Sequence, residues 1–305
     1  MNLDDKFLEY RNSVFCDNNR FLLSSIGGSE QEKDLTLPAN CNGYGRIRHF
    51  RRHIADNWLN DPLPIDPACI SLNLTQADMI QTQVFQIAAC NANCWYCFVP
   101  DNLKKAAPHT SRWFCTNEML ELLAAENFKP QIIDLSGGNP ELVPEWIVQT
   151  MHSLELLGLD KSVYLWSDDT LTTDYTFRFL PKKELEYFSL YKNYGKVACF
   201  KGYDEDSFSF NTGLPEYLFN QQFSLFKRYL SLGIDIYGYI TLTSSDSDKN
   251  RISLRISKLM DRLQEIHFLL PLRVVPLKIS VFSPVRIKLT DIRKKALENQ
   301  FIAID

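Results

Sequence analysis

The chain has 305 residues, 45% of them hydrophobic and 23% charged, the composition of a globular protein large enough to bury a core without disulfides. Its formal net charge of −4 argues against a protein that coats nucleic acid, and no apolar run approaches the roughly 20 residues of a membrane helix. The amino terminus, MNLDDKFLEY, lacks the basic start and apolar stretch of a secretory leader, so the expected compartment is the cytoplasm.

Residues 1–83 show no clear period and are read as an N-terminal extension. They hold a basic run, Arg46-Ile-Arg48-His49-Phe-Arg51-Arg52-His53, and a proline-rich stretch, DPLPIDP, at 61–67. Such a run would suit a phosphorylated or acidic substrate, but charge runs are usually solvated, and it is read as surface. From Val84 onward short apolar strands alternate with amphipathic helices. Val84–Ala88 is expected as the first strand, Thr116 as the cap of a helix reaching Glu126, and Gln131–Ser136 as the second strand. Ile147, Met151 and Leu154 mark the next helix, which Gly158 ends. Strands follow at Val163–Trp166 and Val197–Phe200. The helix after Gly213 carries Phe219, Phe223, Phe226 and Leu230 on one stripe and stops at Gly233. Ile234–Leu242 is a fifth strand; Ile252, Ile256, Leu259 and Leu263 mark another helix, and a sixth strand lies near Arg273–Val281. Six strand–helix units imply parallel strands with right-handed crossovers. The fold class is α/β, and a partial (β/α)6 barrel over residues 84–285 fits better than an open sheet, with 286–305 as a tail.

Of eight cysteines, five are scattered and three fall within eight residues: Cys90, Cys94 and Cys97, in the segment QIAACNANCWYCFVP. Three thiolates spaced C-x3-C-x2-C in one loop suit zinc or an iron–sulfur cluster. A closed zinc site needs a fourth ligand, which His109 or Cys115 would supply. That reading makes the protein a zinc-stabilised binding module. After Cys97 only Cys115 and Cys199 remain, too few for a second cluster.

The cysteine segment resembles the radical S-adenosylmethionine (radical SAM) superfamily, whose signature is C-x3-C-x-aromatic-C after the first barrel strand; Cys90, Cys94, Tyr96 and Cys97 match it position by position. A second match is Ser136-Gly137-Gly138-Asn139-Pro140, at the end of the second strand, which is similar to the family's Gly-Gly-Glu-Pro turn with Asn139 in place of Glu. The resemblance implies a 4Fe–4S cluster on the three cysteines, with S-adenosylmethionine chelating the open iron. Reduction then releases a 5′-deoxyadenosyl radical that takes hydrogen from a substrate at the C-terminal mouth of the barrel. It further implies that Gly137, Gly138, Asn139 and Pro140 meet the methionine ammonium, that Tyr96 lies against the adenine, and that Ser167 or Asp168 meets the ribose. Phe200-Lys201-Gly202 resembles the strand end where some members set a lysine on the cofactor carboxylate. Leu270–Pro276 would offer backbone to the adenine, and Trp95 is equally suited to packing. An electron donor such as flavodoxin or ferredoxin is implied. The substrate is not identified; a small molecule or nucleotide is favoured over a partner protein receiving a glycyl radical.

Overall fold

The computed structural model describes residues 2–304. The chain opens with helix α1 (Leu3–Val14), started by an Asn2–Asp5 capping box, and continues through β1 (Phe15–Cys16), β2 (Arg20–Ser24) and β3 (Gly45–Arg51). Helix α2 (Ile65–Ser71) precedes β4 (Met79–Phe85), β5 (Ser111–Phe114) and α3 (Thr116–Ala124). Then come β6 (Ile132–Leu135), α4 (Pro144–Leu156), β7 (Tyr164–Asp169), α5 (Tyr175–Phe179) and α6 (Lys182–Leu190). The last stretch holds β8 (Tyr194–Phe200), α7 (Glu205–Thr212), α8 (Tyr217–Leu232), β9 (Ile236–Thr241) and α9 (Lys249–Ile266), then β10 (Val274–Leu277), α10 (Ser283–Arg286) and α11 (Asp291–Ile304).

Strands β1, β2 and β5 make a small antiparallel sheet, and seven strands make the main one in the order β10-β9-β8-β7-β6-β4-β3. Six of these are parallel, as the strand–helix alternation predicts; β3 joins the edge antiparallel to β4. Laid flat, seven strands would hold their edges about 29 Å apart, six spacings of about 4.8 Å. The sheet curls instead: Trp58, a few residues beyond β3, donates its indole N–H to Pro276 O in β10 at 3.0 Å. A curled half-barrel results, and the expected partial (β/α)6 barrel is the core of it.

Side chains alternate across the sheet. The convex face sets Ile133, Leu135, Leu165, Ala198, Phe200, Ile236 and Ile240 against helices, among them α4 through Ile147, Met151 and Leu154 and α8 through Phe219, Phe223 and Phe226. Both stripes are the ones the 3.6-residue period marks, and Gly233 ends α8 in the left-handed region at φ 87°. The concave face is apolar at its floor, where Ile80, Ile132, Tyr164, Trp166, Val197, Tyr239 and Val275 pack under Leu63 and α2. Burying one such aliphatic side chain contributes about 1.5–3 kcal/mol, so this second core fixes α2 firmly to the floor. The mouth, at the C-terminal ends of the parallel strands, stays open.

The first barrel strand begins earlier than its expected Val84–Ala88 and ends at Phe85. Residues 86–89 instead pair by isolated bonds: Ala88 N–H to Leu22 O at 2.9 Å, and Ala106 N–H to Ala88 O at 2.8 Å. Cys115, not Thr116, is the N-cap residue of α3, with its backbone N–H held by the Glu118 carboxylate at 2.9 Å. Helices α5 and α6 were absent from the expected pattern; α5 has only five residues, and α6 buries a single side chain, Phe188, so neither shows an apolar stripe. Among the described residues no helix is long and apolar enough to cross a membrane.

Candidate active site

The loop after β4 is held to α7 at its middle by backbone bonds. Asn93 N–H reaches Thr212 O at 3.0 Å and Trp95 N–H reaches Asn211 O at 3.2 Å, while the Trp95 indole donates to Asn211 Oδ1 at 3.1 Å. Trp95 is thereby a packing residue anchoring the loop to α7. Cys90, Cys94, Tyr96 and Cys97 instead line one cavity of about 440 Å³ at the barrel mouth. The Tyr96 hydroxyl lies 3.1 Å from Thr241 Oγ1 at the end of β9. All three thiols are free. Burial pushes the Cys90 thiol up to about 12; Lys104 opposes that, while Cys94 and Cys97 add to it. Lys104, itself almost fully buried, stays cationic because the three cysteines and Asp101, 3.2 Å away, outweigh its desolvation.

Gly137, Gly138, Asn139 and Pro140 line the same cavity. Gly137 and Gly138 have φ of 99° and 68°, conformations that side chains disfavour. A Cβ on Gly138 would collide with the carbonyl oxygens of Ile87 and Ala89, and one on Gly137 with the Gln86 side chain. The glycines are therefore needed for the turn to press against the cysteine loop; the space a Gly138 side chain would claim is filled by protein backbone. Asn139 ties the two segments together: its N–H bonds Ala89 O at 2.8 Å and its Nδ2 bonds Asn91 Oδ1 at 2.8 Å. Asn91 in turn donates to Thr172 Oγ1 at 2.8 Å. Asn139 Oδ1 is buried with no partner among the described residues, an acceptor left unsatisfied at the wall of a cavity.

Asp168 also lines the cavity, on the concave face of β7, and accepts from Ser136 Oγ at 2.6 Å. Ser167, the alternative at this strand end, points the other way: it is fully buried and hydrogen-bonded to the Tyr194 hydroxyl at 2.7 Å. Lys201 lines the cavity opposite. Burial disfavours its charge, but Cys199, Tyr96, Cys94 and Asp168 outweigh that and raise its pKa. From the end of the last strand and the segment after it the lining residues are Leu277, Lys278, Ile279 and Ser280, just beyond the Leu270–Pro276 segment expected to contribute. His109 and Cys115, the possible fourth zinc ligands, lie outside the lining. Among the described residues no group of three His, Cys, Asp or Glu side chains converges as a single metal ion requires.

Three features escaped sequence reasoning. Cys199 supplies a fourth thiol to the cavity wall. Arg46 and Arg48, noted in the basic run but read as surface, face the cavity from β3. Behind the Gly-Gly turn, on the convex side, Lys196 is fully buried and ion-paired with Glu141 and, at 3.5 Å, with Asp169. Glu141 also accepts from Thr176 and from the Tyr229 hydroxyl, the latter at 2.8 Å. Burial and the neighbouring Glu141 push the Asp169 carboxyl up to about 7 against the pull of Lys196. This network bolts the residue after Pro140 to β8 and α8. Its only sequence signal is a lysine inside an apolar strand, YGKVACF.

No protein-family model matches the sequence, and no curated protein is similar enough to count as a match. Among solved structures, SuiB of Streptococcus suis bound to S-adenosylmethionine superposes with a TM-score of 0.42 at 14% identity, over 61% of this chain and 37% of that one. A histidine-tagged anSMEcpe with bound AdoMet gives 0.41 at 14% identity, over 58% and 45%. Native anSMEcpe with AdoMet and the Cp18Cys peptide gives 0.41 at 15%, over 64% and 49%. This chain thus spans less than half the length of each of these structures.

Proposed function

We propose that this chain is a radical SAM enzyme that binds one 4Fe–4S cluster through Cys90, Cys94 and Cys97 and S-adenosylmethionine beside it. The observation that carries the reading is the meeting of two separately spelled motifs at one cavity, with Asn139 Oδ1 buried there and lacking a donor. The donor set fits the group. Three thiols from one loop suit three irons of a cluster whose fourth iron is left for a cofactor, and an unpartnered amide oxygen suits an ammonium. When bound, the pair supplies reductive cleavage of a carbon–sulfur bond and a 5′-deoxyadenosyl radical that abstracts hydrogen.

The chain's own residues do the remaining work. Asn139 accepts from the methionine ammonium, and Lys201 balances the carboxylate. Asp168, fixed by Ser136, accepts from ribose hydroxyls, and Tyr96 offers its ring to the adenine. The floor formed by α2 and the inner strands keeps water away from the reacting centre. A reduced flavodoxin or ferredoxin is the proposed electron source, and the cytoplasm the proposed compartment. Anaerobic reconstitution tests the reading. The protein should take up about four irons, and after reduction with S-adenosylmethionine it should release 5′-deoxyadenosine and methionine. Stoichiometric zinc with no cluster, or a reducible cluster that yields neither product, sinks it.

A further inference from the structure

The basic run is exposed at Arg51 and His53, as expected, but its first two arginines, Arg46 and Arg48, turn inward. Strand β3 enters the main sheet at the mouth and descends to the floor, pairing Arg46 with Val84, Arg48 with Thr82 and Phe50 with Ile80. That register sends Arg46, Arg48 and Phe50 to the concave side, inverting the usual rule that charged positions of an edge strand face outward. Arg48 lies 3.6 Å from Asp134 on the same face. Arg46 is 5% exposed, yet its guanidinium has no ion pair and no hydrogen bond among the described residues, and its buried Nε is unsatisfied. The guanidinium lies over the ring of Phe98, 5.0 Å away. A buried charge without a partner is costly, so a fold that keeps one lining a cavity keeps it for something that enters.

The acidic groups nearby are already engaged, except Asp134, whose buried oxygens accept no hydrogen bond among the described residues. Asp168 accepts from Ser136, Asp169 holds Lys196 and Leu171 N–H, and Asp34 accepts both the N–H and the hydroxyl of Ser283. Burial and Asp168 hold the Asp134 carboxyl well above the usual range, so it offsets Arg48 incompletely. Burial and then Arg48 push Arg46 down to about 10, more than Asp134 and Asp168 restore. That places the guanidinium in surroundings short of negative charge. Phe98 follows Cys97 directly, so the free guanidinium stands beside the cysteine loop.

We infer that Arg46 and Arg48 form a receiving site for the anionic group, carboxylate or phosphoryl, of a small-molecule substrate. Arginine is well suited to this role, because its planar fork grips two oxygens of either group, and stacking on Phe98 fixes its plane. The inference rests on the proposed function only in placing that group next to the cofactor.

The test uses reconstituted, anaerobic protein at constant ionic strength, with inorganic phosphate and succinate as probes and calorimetric titration as the readout. One of the two should bind the parent, and which one binds tells the phosphoryl from the carboxylate source. Arg46→Gln should weaken that binding tenfold or more, and Arg46→Lys should weaken it less. Arg112→Gln, the same change of charge on the small sheet, should alter it less than twofold. Should Arg46→Gln fail to fold, Arg48→Gln carries the reading, again with a tenfold loss expected. Absence of binding by the parent, unchanged affinity in the Arg46 or Arg48 variant, or an equal loss in Arg112→Gln overturns the inference. S-adenosylmethionine titrated into Arg46→Gln should bind within twofold of the parent. Loss of the cofactor with anion binding intact would assign Arg46 to the cofactor and overturn the inference while sparing the proposed function. Failure of the parent to take up a cluster, with the anion pattern as expected, removes the proposed function and leaves the anion site standing.

Discussion

Asn139 donates to Asn91 Oδ1 across 2.8 Å, and in doing so joins the turn that ends β6 to the loop that carries the cysteines. With its amide nitrogen occupied, Asn139 holds its buried, unpartnered oxygen in one orientation, because the Asn91 amide nitrogen is itself spent on Thr172. A glutamate at this position would bring charge but no such lock. The asparagine exchanges part of the electrostatic attraction for a fixed direction.

Asn139→Leu should therefore have two effects. It strands the Asn91 oxygen, at a cost of about 1–3 kcal/mol in urea unfolding, and it removes the proposed ammonium acceptor, which should weaken S-adenosylmethionine by roughly tenfold. Asn139→Asp keeps the acceptor and adds charge, so it should hold the cofactor at least as well as the parent while losing stability at the Asn91 contact. Anaerobic titration and urea midpoints on the same samples separate the two effects. Equal cofactor affinity in all three proteins would detach this turn from the cofactor.

Cys199 lines the same cavity as the three clustered thiols, and burial pushes its thiol up to about 12. If the cluster has an open iron, Cys199→Ala should retain about four irons per chain, as should Cys115→Ala, whereas the triple alanine variant at 90, 94 and 97 should be colourless. Iron analysis and the visible spectrum decide the matter. Loss of iron in Cys199→Ala would mean a fourth thiolate closes the site, leaving no iron for a cofactor.

Gly138 and Gly158 have nearly equal dihedrals, φ 68° and 67°, in different surroundings. An added Cβ at Gly158 meets nothing within 4 Å, whereas at Gly138 it strikes two carbonyl oxygens. Gly158→Ala should cost only the left-handed penalty of about 1–2 kcal/mol. Gly138→Ala should cost distinctly more and lower soluble yield, since backbone must move. Denaturation of the two variants side by side isolates the packing cost from the conformational one, and equal losses would contradict the close fit of turn and loop.

Under the floor, Asp61 accepts from Leu63 N–H at 2.9 Å and from the Tyr239 hydroxyl at 2.8 Å. Burial nevertheless pushes its carboxyl up to about 6, against the pull of those bonds and of Arg48 and Arg52. The folded state thus binds the proton more tightly than the unfolded chain does. Its contribution to stability is complete below the unfolded pKa of about 4 and is lost as pH rises through about 6. Asp61→Asn should be insensitive over that window, so the difference between variant and parent should grow in the variant's favour from pH 4 to 7 and then level off. Urea midpoints across the range check the sign. A difference that stays flat or reverses contradicts it.

The barrel was legible because its elements are long and periodic: the aromatic stripe of α8 and the six apolar strands need no tertiary context to be recognised. The cysteines and the Gly-Gly turn were legible as spelled motifs, and both line the one cavity. Choosing between Ser167 and Asp168 needed the strand's phase, which only pairing with β6 and β8 fixes. Arg46 and Arg48 were hidden by the opposite problem. An edge strand with arginine inward reads as a charged surface, because the pattern is the same for either face until the register is known. Glu141 and Lys196 are distant in sequence and meet only through the fold.

Trp58 packs its ring edge-on against Phe301 at 5.7 Å between centroids, besides bonding Pro276. The first sixty residues and the last thirty therefore act as a clasp across the barrel's open side, and neither half of a clasp holds alone. A chain shortened before α11 would keep both motifs, all six parallel strands and the Trp58–Pro276 bond, yet the Trp58 ring would lose Phe301 and the seam would loosen. Cutting back the other end, through Trp58, would open the same seam from its other side. Damage at two places nearly 250 residues apart in sequence would look, from inside the cavity, like one lesion.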